Sequence, residues 1–356
     1  MALTSAVAFH NIVHAQFVSD PLARPCDAPC NTSTAFGTAT TCGTATTCDS
    51  ACGTASCRDS IGLYGQADAV FWTLGGSKRT IIQRVNFTGE TTTLSTAFTA
   101  DDLRSTRGTP RILVGLQLNP CLAVEGQYNG FSSWNSTRTL VGNGDLMLPG
   151  ALGTVAYDYF LANRMIVRNE TSFHSAELNL VRKVKQTNVS TLAGFRYINF
   201  EEKFGLNSTP YLLQAPDWSS DYLVHAKNNL YGGQLGLKWN PEINKRVGLN
   251  IVGKAGIYGN NAGQRTWVGD DNNAYEHRNV SWKKNCVAFV GELNLGGYFK
   301  VTEGLSFVGG YNLMWVGDTA RAADQLDFTY LANSSHFVKT GTLFMHGANV
   351  GLNWNF

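Results

Sequence analysis

The spacing of the turns constrains what this chain can fold into more than any other feature of its sequence. Between residues 61 and 356, segments of roughly ten to eighteen residues alternate apolar with polar or small side chains, which is the pattern of β-strands whose two faces meet different surroundings. Short and long connections alternate between these segments without exception. We predict ten strands, at about 61–74, 108–118, 121–132, 171–183, 188–201, 221–240, 246–260, 284–300, 305–316 and 341–356.

The lengths of the connections indicate the class of β-protein. A soluble sandwich would scatter its loop lengths, whereas bacterial outer-membrane barrels have short periplasmic turns and long external loops. The sequence therefore predicts an all-β fold, a closed antiparallel up-and-down transmembrane β-barrel of about ten strands whose first strand pairs with its last. The count becomes twelve if 150–170 holds a further pair. The tight connections lie at 119–120, 184–187, 241–245 and 301–304, and the long ones at 75–107, 133–170, 202–220, 261–283 and 317–340.

Composition excludes several other classes of protein. Apolar residues make up 43% of the chain but charged residues only 15%, against about 25% in soluble domains. No apolar run approaches the roughly 18 residues of a spanning helix, so a helical membrane protein is excluded. The net charge of +2 supplies no long-range field to attract nucleic acid. A soluble secreted β-protein remains the alternative to the barrel.

The polar faces of the first eight predicted strands each carry one charged residue surrounded by Gly, Asn, Gln or Ser. These residues are four acids and four bases. A small barrel holds little water inside, so each such charge needs a partner of opposite sign. We therefore predict a paired charge network in the lumen, made by Asp68, Arg111, Glu125, Glu177, Arg196, Lys238, Lys254 and Glu292.

Aromatic residues near the strand ends predict the two belts in which amphipathic rings meet lipid headgroups. The chain also ends in Phe356 behind alternating apolar residues, and this ending is similar to the signal that the outer-membrane assembly machinery recognises. We predict a turn-side belt of Trp239, Phe299 and Trp354 and a loop-side belt of Tyr197, Tyr258 and Trp315.

The N-terminal region differs from the rest of the chain. Residues 1–15 are an apolar stretch that ends in small residues at the positions a signal peptidase reads, so we predict a signal peptide there. No basic residue precedes the stretch, and an ordinary apolar N-terminus is the alternative. Residues 16–59 are a low-complexity segment rich in Cys, Thr and Ala, and residues 60–356 are the predicted barrel.

Six of the eight cysteines lie in the low-complexity segment. An exported location favours disulfides, and the absence of a Cys-x-x-Cys pair argues against zinc, but the sequence leaves their pairing open. The segment has almost no large apolar side chain to bury, so we expect it outside the barrel wall on the periplasmic side, with a plug inside the lumen as the alternative. Cys121 and Cys286 are predicted to be small buried thiols. The six cysteines are Cys26, Cys30, Cys42, Cys48, Cys52 and Cys57.

Several stretches resemble a putative β-barrel porin family known mainly from planctomycete bacteria. The likeness covers about 60 to 356 and leaves the Cys-rich segment outside. It implies an outer-membrane barrel, and it brings neither a substrate nor a catalytic motif. The stretches are YGQADAVFW at 64–72, RILVGLQLNPCLAVEGQY at 111–128, LAGFRYI at 192–198, LYGGQLG at 230–236 and HGANVGL at 346–352.

The main functional hypothesis is a passive outer-membrane barrel, either a narrow pore or a structural or surface-contact protein. Barrels of about eight strands are filled by their own side chains and open channels appear near sixteen, so ten strands leave little room. The expected partners are outer-membrane lipid, the barrel-assembly machinery and small polar solutes, in the outer membrane of a bacterial cell. No metal or cofactor site is predicted.

An enzyme is the alternative hypothesis, because omptin proteases are similar ten-stranded barrels with an external site of Asp and His. No Ser, His and carboxylate arrangement with a recognisable spacing appears here. Acid pairs in loops more commonly solvate the surface than catalyse, so no catalytic residue is predicted. The groups that an omptin-like site would use are Asp101, Asp102, Asp270, Asp271 and His277.

Overall fold

A computed structural model of the protein describes residues 61–75, 78–130, 133–211, 219–270, 276–330 and 338–356. The predicted signal peptide and the Cys-rich segment lie outside the described residues, which form one thirteen-stranded sheet. In chain order its strands are β1 (Gly62–Leu74), β2 (Thr80–Thr88), β3 (Thr91–Thr99), β4 (Thr106–Asn119), β5 (Leu122–Asn129), β6 (Ser133–Met147), β7 (Ala162–Lys183), β8 (Val189–Pro210), β9 (Ser220–Trp239), β10 (Val247–Asp270), β11 (Glu276–Lys300), β12 (Leu305–Thr319) and β13 (Gly341–Asn355).

Ten of these strands close into a barrel. The wall runs in the order β1, β4, β5, β7, β8, β9, β10, β11, β12 and β13, and β13 pairs back to β1. The closing ladder is antiparallel and extends from the pair Tyr64–Asn355 to the pair Leu74–Met345. A sheet edge in lipid would leave backbone groups without partners, so closure is the condition for residence in a membrane. The predicted closed ten-stranded barrel and the pairing of its first and last strands are confirmed.

Three further strands correct the assignment of 75–107 and 133–170 as loops. β2 and β3 form a hairpin, and β2 pairs with the end of β6. β6 in turn pairs with the loop-side half of β7, while β5 pairs with the turn-side half. The sheet therefore forks at β7 and forms an extension of β2, β3 and β6 beside the loop-side end of the barrel.

The alternative count of twelve strands, with a further pair at 150–170, is contradicted by the structure. A short helix, α1 (Gly150–Val155), and a 3-10 turn at Tyr157–Tyr159 occupy most of this stretch before β7 begins. A second short helix, α2 (Ala322–Gln325), lies between β12 and β13. Among the residues that the structure describes, no helix is long and apolar enough to cross a bilayer.

The wall strands continue much further on the loop side than the sequence analysis predicts, because their two faces exchange character. In the turn-side halves the outer face is apolar, and Leu235 and Ile257 there are both 68% exposed. In the loop-side halves the inner face is apolar instead, with Phe204 and Tyr222 buried, and the outer face is polar. Apolar and polar side chains still alternate along each strand, but on the loop side the apolar ones face inward and the polar ones face outward. Residues 202–220 and 261–283 therefore resemble polar loops in sequence, although β8 to β11 extend through most of them.

The outer face of β9 shows the height of the apolar band. Trp239 marks the turn-side edge of this band and Tyr231 its loop-side edge, and both side chains are about half exposed. Their separation corresponds to about 21 Å at a strand tilt of about 40°, near the band of about 25 Å found in outer-membrane barrels. Tyr197 stacks on Tyr231 with ring centroids 4.8 Å apart, in the predicted loop-side belt. The assignment of Tyr258 to that belt is wrong, because Tyr258 is buried on the inner face.

The two cysteines of the wall differ from the prediction of two buried thiols. Cys121, in the tight connection between β4 and β5, is disulfide-bonded. Cys286 is the free thiol among the described residues, and it is half-buried. The six cysteines of the N-terminal segment lie outside the described residues.

We expect proline in the closing ladder to prevent formation of the heat-resistant barrel. Val350→Pro removes a backbone N–H from β13, which pairs on both sides, and each unsatisfied backbone group in lipid costs about several kcal/mol. The measurement is the migration of unheated and heated protein on an SDS gel. The matched control is Leu94→Pro in β3, whose only partner among the described strands is β2, and this variant should keep the heat-modifiable form. A heat-modifiable Val350→Pro protein would contradict the closed ladder.

Candidate functional site: the filled lumen

All eight predicted lumen charges lie on the inner face of the wall, each on a different strand from β1 to β11. Strand alternation places them there because their neighbours in sequence face lipid or the adjoining solvent. Arg196 illustrates their burial, with 1% of its surface exposed. The structure brings the eight together in three clusters that each contain both signs of charge.

The first cluster joins β1 and β4 to β12 and β13. Asp68 and Arg111 are register partners, and the guanidinium Nε lies 3.0 Å from Asp68 Oδ1 while Nη2 contacts Oδ2. Arg111 Nη1 also donates to Asn312 Oδ1 at 2.9 Å. Asn349 Nδ2 donates to Asp68 Oδ2 at 2.8 Å, and Asn349 Oδ1 accepts from Asn312 Nδ2 at 2.9 Å. The bidentate ion pair is thus tied by amides to the opposite side of the closing ladder.

The second cluster crosses the lumen at its centre. Arg196 on β8 lies 3.3 Å from Glu177 on β7 and 2.6 Å from Glu292 on β11. Lys254 on β10 lies 2.8 Å from Glu177 and 3.6 Å from Glu292. Two acids and two bases alternate around a ring, and Ser175 accepts the remaining Arg196 Nε–H at 2.9 Å. Charges this deeply buried are stable together only if every one is paired.

The third cluster lies nearest the turns. Lys238 Nζ on β9 is 2.5 Å from Glu125 Oε1 on β5, and the Tyr64 hydroxyl on β1 donates to the same oxygen at 2.7 Å. Gly115 makes room for the Tyr64 ring, since a Cβ at this position would lie only 2.1 Å from it. This cluster therefore links three non-adjacent strands across the lumen.

Above the charges, an apolar layer fills the barrel. Its members point inward from eight of the ten wall strands, with Trp134 added from β6, and the sequence analysis did not identify them as one layer. The available signal was a change from polar to large apolar residues at inward positions towards the loop-side strand ends. The layer comprises Val70, Trp72, Leu74, Trp134, Phe173, Ile198, Phe200, Leu230, Tyr258, Ala288, Val290, Met314, Val316, Leu343 and Met345.

A third level is made by residues 320–330 of the β12–β13 connection, which we call the cap. Asn228 on β9 binds the cap backbone in both directions, donating to the Ala320 carbonyl at 2.7 Å and accepting from the Ala320 N–H at 2.7 Å. Glu202 on β8 accepts from the Ala322 N–H at 2.9 Å and pairs with Arg321 at 3.3 Å. These polar contacts hold the cap against the inner side of the wall.

Side chains of the wall also hold the outer part of the cap through hydrogen bonds to its backbone. The Tyr222 hydroxyl donates to the Asp327 carbonyl at 3.0 Å and accepts from its N–H at 2.8 Å. Arg278 donates to the carbonyls of Asp327 and Thr329, both at 2.8 Å. Burial raises the pKa of Asp324 in α2, so this carboxyl is more readily protonated than a solvated one.

The cap shares one apolar core with the extension. Inward residues of β7 to β10, the β2–β3 hairpin and the segment around α1 all contribute to this core. Its buried members include Ile81, Ile82, Phe98, Leu148, Leu152, Tyr159, Met165, Phe204, Leu206, Val224, Ala320, Ala322 and Leu326. The extension and the cap are consequently packed as a unit over the loop-side end of the barrel.

The groups proposed for an omptin-like site have varied positions. Asp102 accepts from the N–H of Thr99 at 2.7 Å and thereby caps a 3-10 helix, and Asp101 pairs with Arg104. Asp270 is the last residue of β10, His277 is the second of β11, and Asp271 lies outside the described residues. Within the described part of the chain, no three His, Cys, Asp or Glu residues are grouped so that they could hold a metal ion.

The described cavities lie outside the centre of the lumen. A space of about 40 Å³ lies beside the cap, near Glu202 and Arg321. A groove of about 360 Å³ lies on the outer wall across β9, β10 and β11. The lumen itself is occupied at three levels, by paired charges, by the apolar layer and by the cap.

Residues 151–356 match the model of a family described as putative beta barrel porin-7 (BBP7). This match agrees with the resemblance seen in the sequence at 192–198, 230–236 and 346–352, whereas the stretches at 64–72 and 111–128 precede the matched residues. No curated protein matches the chain.

Several solved structures match most of the chain at low sequence identity. The outer membrane protease OmpT from Escherichia coli is 10% identical with a TM-score of 0.45, covering 83% of this chain and 98% of its own. The toluene transporter TodX from P. putida is 10% identical with a TM-score of 0.30, covering 84% of this chain and 90% of its own. The translocator domain of the autotransporter NalP from Neisseria meningitidis is 9% identical with a TM-score of 0.31 and the same coverage.

We expect Arg196→Ala to lower the free energy of unfolding by about 3 kcal/mol, because it leaves Glu177 and Glu292 buried with one base between them. The measurement is guanidinium unfolding of the detergent-solubilised barrel, followed by tryptophan fluorescence. Arg104→Ala is the control, since its pair with Asp101 is 46% and 43% exposed. A surface pair of this kind contributes less than about 1 kcal/mol. Equal losses for the two variants would contradict a buried, interdependent network.

Proposed function

The chain belongs to the putative beta barrel porin-7 family, and we propose that it serves in the bacterial outer membrane as a closed structural barrel that presents a rigid surface to the exterior. The single observation that carries this proposal is the filling of the lumen at three levels. A general diffusion pore needs a continuous polar path, and the apolar layer with the cap above it interrupts such a path.

The extension supports a role in surface contact. β2, β3 and β6 lie at the loop-side end, which is the external end in outer-membrane barrels. The first six residues of β3, Thr91–Thr96, are exposed, and among the described strands β3 pairs only with β2. An edge strand of this kind can pair with another chain, and its threonines keep it soluble.

The local contacts of the loop acids favour a passive role over a catalytic one. Asp101 and Asp102 lie in the 3-10 helix that precedes β4, and both make local contacts that fix this turn. Phe356, which is 72% exposed beyond β13, is the residue that the barrel-assembly machinery would contact in this proposal. Lipid contacts the apolar outer face of the wall.

A narrow pore for small polar solutes is the second candidate. It is favoured by the way the cap is attached, since side chains such as Asn228, Glu202 and Arg278 hold it through hydrogen bonds that could exchange with water. A pore would require the cap to leave the lumen and the layers beneath it to rearrange.

Planar-bilayer conductance separates the two candidates. We expect the full chain to show no stable channel at neutral pH, because the lumen is filled. We also expect no large conductance after 321–339 is replaced by a short Gly-Ser linker between β12 and β13, since the apolar layer and the charge clusters remain.

The control for insertion is heat-modifiable migration of both proteins recovered from the membrane. A channel that opens only in the linker variant would favour the gated pore. A stable channel in the full chain would contradict the structural role outright.

A further inference from the structure

The outer wall of β8 to β11 changes character in regular steps towards the loop side. Cross-strand partners form four successive rows on this face, and at least two residues of each row share one kind of chemistry. From the lipid outwards, the rows are apolar (Phe195, Gly233, Ile257, Phe289), aromatic (Tyr197, Tyr231, Gly259, Val287), amide (Asn199, Asn229, Asn261, Asn285) and charged (Glu201, Lys227, Gly263, Lys283).

The amide row is internally hydrogen-bonded. Asn199 Nδ2 donates to Asn229 Oδ1 at 3.0 Å, and the Tyr197 hydroxyl donates to the same oxygen at 3.1 Å. Asn261 Nδ2 donates to Asn285 Oδ1 at 2.7 Å. Ordered amides directly above aromatic rings are groups that can bind the polar part of a lipid without charge.

A groove of about 360 Å³ lies above this row, with Gly263 at its floor. A Cβ at Gly263 would find its nearest neighbour only at 3.7 Å, so the floor is open. The groove is lined by His225, Lys227, Asn229, Asn261, Arg265 and Lys283, together with Ser281 and Trp282.

The groove carries an excess of positive charge. Glu201 is the register partner of Lys227, and its carboxylate is shared by His225 at 2.7 Å and by Lys203 and Lys227 at 3.9 Å each. Arg265 and Lys283 are exposed and have no ion-pair partner among the described residues. The bases on the β10 and β11 side therefore remain available to an anion.

The height of the groove places it among lipid headgroups. Along a strand tilted by about 40°, the amide row lies about 5 Å and the charged row about 10 Å beyond the Tyr197–Tyr231 belt. The polar headgroup layer of a bilayer is of this thickness, with about 30 Å of hydrocarbon inside a total of about 40–45 Å. Bases at this level meet phosphate groups, and the apolar rows beneath them meet the acyl chains of the same molecule.

We propose that this groove binds the phosphate of a phosphorylated lipid headgroup in the external leaflet. Lys227, Lys283 and Arg265 contact the phosphate, and Asn229 and Asn261 contact neighbouring hydroxyl or carbonyl groups of the headgroup. The bound lipid fixes the height and rotation of this side of the barrel. The site is independent of whether the lumen conducts.

Binding of phosphatidic acid, a lipid with a phosphate monoester headgroup, tests the proposal. The full chain in neutral detergent is titrated with phosphatidic acid or with phosphatidylcholine, and native mass spectrometry reports the bound fraction. We expect tighter binding of phosphatidic acid. Each base near an anionic headgroup contributes about 1 kcal/mol, or about five-fold, so Lys227→Gln/Lys283→Gln should weaken binding about 25-fold and Arg265→Gln about five-fold.

The matched control is Lys245→Gln/Arg246→Gln, which removes two exposed bases from the tight β9–β10 connection at the opposite end of the barrel. Its affinity should equal that of the unaltered chain. Equal loss in both double variants would show general charge attraction and overturn the site. Inorganic phosphate that binds the groove as tightly as phosphatidic acid would also overturn it, because the ligand would then be a soluble anion.

Discussion

Closure of the strand ladder is the constraint on which the rest of this structure depends. In lipid every backbone group must find a hydrogen-bond partner within the protein, and the pairing of β13 with β1 satisfies that requirement at the two edges of the sheet. Closure also creates an interior with little water. Any charge on the inner face must then be paired, and the three clusters around Asp68, Glu177 and Glu125 meet this second requirement. The lumen network is thus a consequence of the wall, and it binds non-adjacent strands to one another.

The edge of the apolar band divides the molecule into two parts, in which opposite faces of the wall are apolar. Within the apolar band the wall is apolar outside and polar inside, as Leu235 and Arg196 show. Beyond it the strands continue as an ordinary soluble structure, apolar inside and polar outside, with Phe204 in the core and Lys203 in solvent. The cap and the extension pack into this external core. A closed lumen and a rigid external surface therefore arise from one reversal in the alternation of the wall strands.

This reversal explains how much of the molecule could be predicted from its sequence. The ten wall strands and all eight lumen charges could be predicted, because period-two alternation with sparse charge is specific to a barrel interior. The loop-side halves of β8 to β11 could not, since a reversed pattern with outward Lys227 or Arg265 looks like a polar loop. The cap was missed for another reason: its contacts with Asn228 and Tyr222 join residues about a hundred positions apart, and no local pattern encodes them. Tyr258 was misassigned although it lies four residues after Lys254 on the same strand, so that period-two alternation already places both side chains on the inner face.

The central claim is that the lumen is filled, and the accessibility of an inner-face thiol tests it most directly. Ala288 is fully buried in the apolar layer, so Ala288→Cys in a Cys286→Ser background places a thiol there. A membrane-impermeant thiol reagent is added to the folded barrel in vesicles, and labelling at 288 is read by peptide mass. A filled lumen predicts labelling only after heat unfolding, while Lys283→Cys in the same background is labelled at once. Rapid labelling of residue 288 in the folded barrel would show a water-filled path and contradict the account.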